Sequence, residues 1–274
     1  MLEKLGKTWM LHNCSFHNAD VSDEQIRDLR ERWNIACMTL WQVNDDELLE
    51  NQAIFNKWFG FVLDKYMEEK RCYHTVKHLI EMFCFLDILI EVQPYKHNCS
   101  AEKHATLVMA TFFHDVIYDP LSSTNEEDSA EYFQKFILAV EKVNNDDILK
   151  GPRNSPSSLE TIVKYIIATK QHTIPNSLSQ DYFLKIFLDI DMSVLAKEWK
   201  AYVGYASLIR QEYIHVNHEI YCEKRAEILT NFLSAGSIFH SDDMKKEFEL
   251  RASENLRQEI NMLKTGKIPS NTHL

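Results

Sequence analysis

The sequence contains few residues that interrupt helices. Only 6 of its 274 residues are glycine and only 6 are proline. Segments in which β-branched and polar residues alternate, as they do in strands, are also scarce. This composition argues against a β-rich fold, in which turn residues recur between short strands. We therefore expect an all-α protein, a single helical domain over residues 1–274 with its core at about 22–264.

The sequence is also short of positive charge. It has 30 Lys and Arg against 41 Asp and Glu, which gives a formal net charge of -11. A protein that wraps nucleic acid needs a basic face, so we expect no nucleic-acid partner. A small phosphate substrate is compatible with this charge, because a metal ion and a few local cations dominate the field inside a pocket.

Paired cysteines and long apolar runs are missing as well. The six cysteines form no CxxC pair and no zinc-ribbon spacing, which predicts free thiols in a reducing compartment. No apolar run has the length of a membrane span, and residues 1–14 lack a signal-peptide pattern. We therefore expect a cytoplasmic protein without a membrane partner, and nothing in the pattern specifies an oligomeric state.

What the sequence does contain is an apolar, helix-forming stretch that ends in an ionisable pair. Residues 105–120 read ATLVMATFFHDVIYDP, with His114 and Asp115 adjacent near the end. Burying a charge without a partner is costly, and a divalent metal is a common partner for an imidazole beside a carboxylate. The alternative is a polar pair that simply marks a helix end.

Two other apolar segments carry ionisable residues in the same way. Residues 71–78 read RCYHTVKH, and the i, i+4 spacing of His74 and His78 predicts that both lie on one helix face. Residues 187–195 read FLDIDMSVL, where Asp189 and Asp191 interrupt a hydrophobic helix. Three such interruptions favour one common centre with one or two divalent ions. Mixed nitrogen and carboxylate ligands suit Mn, Fe, Co, Ni, Zn or Mg.

The order His, His-Asp, Asp resembles the HD superfamily of metal-dependent phosphohydrolases. RCYHTVKH, ATFFHDVIYDP, the NEE of residues 125–127, IIATKQH and FLDIDMSVLA together resemble the bacterial-type family of predicted HD phosphohydrolases, over roughly residues 33 to 262. YHTVKH is also similar to the signature of cyclic-nucleotide phosphodiesterases. Those enzymes carry a further histidine four residues after the HD histidine, where this chain has Tyr118.

The resemblance implies metal ligation by His78, His114, Asp115 and one downstream aspartate. We prefer Asp191 because its i±3 and i±4 neighbours are apolar, which predicts that it lies on the buried face; Asp189 is expected to support a ligand or to replace Asp191. His74 is expected to donate a proton to the leaving oxygen. The alternative makes His74 the ligand and His78 a core residue.

Further candidates surround this set. Lys170 and His172, from ATKQH, are expected to contact phosphate or a second metal. Arg71 is expected either to bind substrate or to be solvated. Tyr118 and His172 are the other substrate-binding candidates. Glu126 and Glu127 either orient the attacking water or complement a helix dipole. Histidines 104, 215 and 218 are expected to be ordinary core or surface residues.

The expected function is hydrolysis of a phosphate ester of a nucleotide or related small molecule by metal-activated water. Two alternatives remain open at this point. One is a diiron oxygenase on the same helical core, and the other is a non-catalytic metal-binding or regulatory module.

Overall fold

The computed structural model describes residues 21–43, 45–91, 95–145 and 156–270. These ranges contain eleven α-helices, two short 3-10 helices and no strand, so the all-α prediction is confirmed. The α-helices are α1 (Asp23–Trp41), α2 (Asp45–Tyr66), α3 (Val76–Ile90), α4 (Tyr95–Asn98), α5 (Ala101–Phe113), α6 (Asn125–Asn145), α7 (Pro156–Ala168), α8 (Tyr182–Asp191), α9 (Trp199–Glu212), α10 (His218–Ser234) and α11 (Asp242–Lys264). The 3-10 helices are Asn176–Leu178 and Met192–Ala196.

Side-chain caps explain where several helices begin. Ser22 and Gln25 form a capping box at α1, in which each side chain accepts a hydrogen bond from the backbone N–H of the other residue. Ser100 caps α5, and Asp181 caps α8 through two N–H groups. These side chains satisfy N–H groups that have no partner inside their helix.

The start of α3 differs from the sequence prediction. Thr75 is the N-cap of α3, and its Oγ accepts a hydrogen bond from Lys77 N–H. The helix therefore begins at Val76, and His74 lies in the segment before it. The prediction that His74 and His78 share one helix face is wrong, because the Thr75 cap starts the helix between them.

The described chain divides into two compact units, of which 21–68 and 74–179 form one. Trp33 of α1 lies at its centre, fully buried, with its indole N–H donated to the carbonyl of Phe55 at 3.1 Å. Four rings surround this indole with centroids 5.2–5.9 Å away: Phe59, Phe112, Phe113 and Phe136. Truncating such a residue typically costs about 3–5 kcal/mol, so this cluster fixes how α1, α2, α5 and α6 pack.

Helix α5 is the most enclosed element of this unit. Every residue from 105 to 113 is buried, so the helix presents no exposed face after its first turn. A helix that is apolar on all sides is stable only inside a core. Its C-terminal end is therefore held in place by packing, and the chain leaves it at His114.

Residues 69–73 and 180–270 form the other unit. Asn255 of α11 donates from Nδ2 to the carbonyls of Leu195 and Lys197, both at 2.8 Å, and so ties the end of the second 3-10 helix to α11. Arg225 of α10 pairs with the buried Glu259 of α11 at 3.0 Å, and the Tyr202 hydroxyl donates to the same carboxylate. Removing either Arg225 or Glu259 would leave the other as a buried charge without its partner. These contacts therefore hold α9, α10 and α11 together.

Several predictions concern residues outside the described ranges. The breaker-rich sequence of residues 144–158 predicts a surface loop, or alternatively a lid, and this stretch lies largely outside those ranges. Residues 1–20 and 271–274 lie outside them as well. The described cysteines 37, 72, 84, 99 and 222 are free. Within the described ranges, no helix combines the length and apolarity of a membrane span. A single domain stays a prediction.

Candidate metal centre

The C-terminal end of α5 carries the His114-Asp115 pair. His114 is the C-cap of the helix, 1% exposed, and its backbone N–H bonds to the carbonyl of Ala110. Backbone carbonyls at a helix C-terminus carry partial negative charge, which favours a nearby cation. The pair therefore stands where a buried positive charge is stabilised.

The His114 ring has a defined tautomer. Its Nδ1 lies 2.8 Å from the carbonyl oxygen of Thr111. Since a carbonyl can only accept, Nδ1 carries a hydrogen, and a neutral ring then keeps a lone pair on Nε2. Metal-ligating histidines have this arrangement, with one nitrogen donating to a carbonyl or carboxylate and the other free to bind.

Three potential ligand atoms converge beyond that lone pair. His114 Nε2 lies 3.1 Å from His78 Nε2 and 3.1 Å from Asp115 Oδ2, and His78 Nε2 lies 3.9 Å from the same oxygen. Two nitrogens bound to one metal at about 2.0–2.1 Å are about 2.9–3.4 Å apart at octahedral or tetrahedral angles. The two imidazoles are therefore spaced as ligands of one ion.

Asp191 lies close to the same two histidines. His78, His114 and Asp191 each offer one ligand atom, and these atoms all lie within 4.8 Å of one another. The two histidines are buried and Asp191 is partly exposed. This group could hold a metal ion.

Asp189 has a different role from Asp191. Its Oδ1 accepts the N–H of His240 at 2.6 Å, and its Oδ2 accepts both the N–H and the hydroxyl of Ser241, at 2.8 and 2.6 Å. Burial raises the pKa of Asp189 to about 6, although these hydrogen bonds oppose the change. Asp189 anchors the residues that precede α11.

The prediction that Asp191 lies on the buried face of its helix is wrong. Asp189 is the fully buried carboxylate, and Asp191 is only partly buried. Apolar neighbours at i±3 and i±4 did not identify the buried face, because the donors that stabilise Asp189 come from residues about 50 positions later in the chain.

His74 lies beside the cluster. Its Nε2 is 3.9 Å from Asp115 Oδ2, and its ring centroid is 6.0 Å from that of His78. The ring stacks on Tyr118, with centroids 4.1 Å apart and planes at 29°. The His74 side chain keeps 19% of its surface exposed, against 2% for His78. A bound molecule can therefore reach His74 more readily than His78.

The two glutamates at the start of α6 have different surroundings. Glu127 is exposed and pairs with Lys170 Nζ at 2.5 Å, a hydrogen bond that lowers the pKa of Glu127. Glu126 is half-buried, and burial, followed by the charge of Asp115, raises its pKa. Glu126 is therefore the glutamate that senses the charge of the cluster.

The remaining candidates occupy varied positions. Lys170 also donates to the carbonyl of Ser123 at 2.7 Å. Arg71 is 4% exposed, so the alternative that it is solvated is wrong. His172 lies in the turn after α7, where its φ of 48° is in the left-handed region. The catalytic and substrate-binding roles of these residues stay predictions.

Two residues that the sequence analysis did not single out support the segment after Asp115. Asn125 and Ser129, from the start of α6, hydrogen bond to the backbone of residues 117–119. Residues 125–130 read NEEDSA and contain both, but a polar residue early in a helix is common and gives no signal of such contacts. His104 and His218 are engaged elsewhere, by the Tyr95 hydroxyl and the Gly266 carbonyl.

Comparison with protein-family models and with curated proteins identifies no relative. No protein-family model matches this chain, and no curated protein matches it. In a helical protein, two histidines and an aspartate lie close enough together to hold a metal ion.

Proposed function

We propose that this protein is a metal-dependent phosphohydrolase that cleaves a phosphate ester of a nucleotide or a related small molecule. The observation that carries the proposal is the convergence of His78 Nε2, His114 Nε2 and Asp115 Oδ2, with the more exposed His74 at the edge of the cluster. The motif resemblance to HD phosphohydrolases points to the same chemistry. The alternatives of an oxygenase and of a non-catalytic module become outcomes of the test.

The proposed ligands are His78, His114, Asp115 and Asp191. Their donor atoms fit a divalent cation because a neutral imidazole with its Nδ1 hydrogen donated to a carbonyl offers its other nitrogen to a metal. A divalent ion supplies two effects, lowering the pKa of water and neutralising phosphoryl charge. The identity and number of ions are left to experiment, with Mn, Fe, Co, Ni, Zn and Mg all compatible with this donor set.

His74 is the proposed general acid. An imidazole has an intrinsic pKa of about 6.5 and can carry a proton near neutral pH. His74 Nε2 lies 3.9 Å from Asp115 Oδ2, at the edge of the cluster. The ring would give this proton to the departing oxygen, so that the alcohol leaves without a negative charge.

Glu126 is the proposed proton acceptor for the attacking water. Its raised pKa brings the carboxylate closer to neutral pH, where a general base works best. Glu127 is better suited to hold Lys170. For Lys170 to hold a phosphate, its ammonium would exchange the bond with Glu127 for one with the substrate. Arg71, Tyr118 and His172 are the other proposed substrate contacts.

A substrate screen tests the proposal. The purified protein, supplied in turn with each of the six metals, is incubated with mononucleotides, dinucleotides, cyclic nucleotides and sugar phosphates, and products are separated by chromatography. His114→Gln is the control for contaminating phosphatases. Hydrolysis by the wild type alone supports the proposal. Tight metal binding without turnover of any ester would indicate the binding module, and iron with O₂ uptake would indicate the oxygenase.

A further inference from the structure

The segment between Asp115 and α6 contains no helix, yet its backbone is held by side chains on both sides of Tyr118. Ser129 Oγ accepts the N–H of Ile117 at 3.1 Å and donates to the carbonyl of the same residue at 3.2 Å. Asn125 does the same for Asp119, with Oδ1 accepting its N–H and Nδ2 donating to its carbonyl, both at 2.9 Å. The residues on either side of Tyr118 are thus each held by two hydrogen bonds.

These contacts satisfy a physical need and also fix a position. Backbone N–H and C=O groups outside helices and strands require other partners when water is excluded, and Ser129 is fully buried. Both side chains belong to the first turns of α6. The segment 117–119 is therefore attached to a helix, which is more rigid than a loop held only at its ends.

The side chain between these two anchors lies on His74. Tyr118 is 8% exposed and its ring stacks on the imidazole at 4.1 Å. His74 lies before the first residue of α3, so the geometry of that helix does not set the orientation of its ring. The tyrosine ring limits the planes that the imidazole can adopt, and in the observed one Nε2 faces Asp115 at 3.9 Å.

We infer that Asn125 and Ser129 are positioning residues, which hold Tyr118 against His74 and so fix the direction in which His74 presents its Nε2. The catalytic part of this inference rests on the proposed function, while the structural part does not. Catalytic groups must be held closely, since a misplacement of about 1 Å can cost about 10²-fold in rate. A proton donor outside regular structure needs such support from its neighbours.

The structural part is tested by NMR on metal-free protein carrying ¹³C-labelled histidine, with His74→Asn used to assign the His74 signals. A stacked aromatic ring shifts imidazole protons upfield. We expect this shift in the wild type and in Tyr118→Phe, and its loss in Tyr118→Leu. Asn125→Ala should reduce it as well. Thr124→Ala is the matched control. It removes a hydroxyl that bonds to Asp128 and Ser122 at the same helix start and that makes none of the hydrogen bonds to 117–119 described above, so it should leave the shift unchanged.

The catalytic part is tested by a double-mutant cycle. Asn125→Ala should retain metal and slow hydrolysis of an ester with a poor leaving group by roughly 10–100-fold. In the His74→Asn background the same substitution should have little further effect, because Asn125 acts through His74. Independent, multiplying losses would overturn the catalytic role. An unchanged His74 signal in Asn125→Ala would overturn the inference as a whole. A shifted signal in a protein that hydrolyses no ester would uphold the structural part and refute the proposed function.

Discussion

At the scale of single residues, His114 shows how the two nitrogens of one ring divide their functions. Nδ1 is committed to the Thr111 carbonyl one turn back along α5, so Nε2 points out of the helix end toward His78 and Asp115. Two imidazole nitrogens and a carboxylate oxygen at these distances repel one another unless protons or a metal ion lie among them. We propose that a divalent ion lies among these atoms and relieves the repulsion.

The two aspartates of α8 should respond differently to substitution. Asp191→Asn removes the charge of a proposed ligand and should abolish metal retention. Asp189→Asn disturbs the bonds to His240 and Ser241, so it should mainly lower stability, by roughly 1–3 kcal/mol for a buried donor left without its partner. Metal content after gel filtration and urea unfolding measure the two effects. Metal loss in Asp189→Asn with retention in Asp191→Asn would reverse our assignment.

His74 is where hydrolysis and simple metal binding can be separated. If it is the general acid, His74→Asn should keep its metal, and turnover of an ester with a poor leaving group should fall by roughly 10²–10⁴-fold. p-Nitrophenyl phosphate needs little protonation as its leaving group departs, so it should be affected much less. Steady-state rates on the two esters provide the comparison. Equal losses, or loss of the metal, would make His74 a scaffold residue or a ligand.

Residue types and spacing predicted which side chains to consider, but not how each one is used. The HD pair, His78 and Asp191 come from separate segments, and their coincidence as polar interruptions was visible in the sequence. The pairing of Lys170 with Glu127 and of Asp189 with Ser241 joins residues 43 and 52 positions apart. No local pattern encodes such contacts, because they depend on how whole helices pack.

At the scale of elements, α5 is a largely buried helix whose C-terminal end carries the proposed ligands His114 and Asp115. Its apolar sequence predicted burial, which residues 105–113 confirm. The start of α3 was misjudged because the i, i+4 histidine spacing suggested a continuous helix, whereas Thr75 is a β-branched residue that caps more readily than it continues a helix. Because α3 begins at Val76, two residues after His74, the His74 ring lies before the helix and not on its face.

A histidine near the start of α5 predicts a pH dependence of stability. His104 accepts or donates a hydrogen bond with the Tyr95 hydroxyl at 3.0 Å, and burial, with a smaller effect of Arg32, lowers the pKa of His104. The unfolded chain therefore binds a proton at higher pH than the folded protein does. It follows that the free energy of unfolding decreases as the pH falls below about 6.5 and levels off below the folded pKa.

His104→Gln removes this titration. Between pH 7 and pH 5, metal-free wild type should lose more of its unfolding free energy than the variant does, measured by urea denaturation in the presence of a chelator. The two proteins share all other titrating groups, so the difference between their curves isolates His104. Parallel curves would show that the pKa of His104 is the same in the folded and unfolded states.

At the scale of the whole molecule, a site assembled from distant segments exists only in the folded chain. His78, His114 and Asp191 come from different helices or helix ends, so the unfolded chain offers no such group. An ion that binds only the folded state stabilises it by about 2.7 kcal/mol at a concentration 100-fold above its Kd. The net charge of -11 also favours cation binding in general, and a specific site must therefore be distinguished from loose association.

The most direct test of the metal centre is the metal content of three proteins after loading with a divalent ion and desalting, measured by elemental analysis. Wild type and His104→Gln should retain one or two ions per chain. His114→Gln should retain almost none, because it loses a ligand nitrogen at the centre of the cluster. His104 is the matched control, being a partly buried histidine on the same helix with its ring bonded to Tyr95. Equal metal content in His114→Gln and wild type would contradict the account.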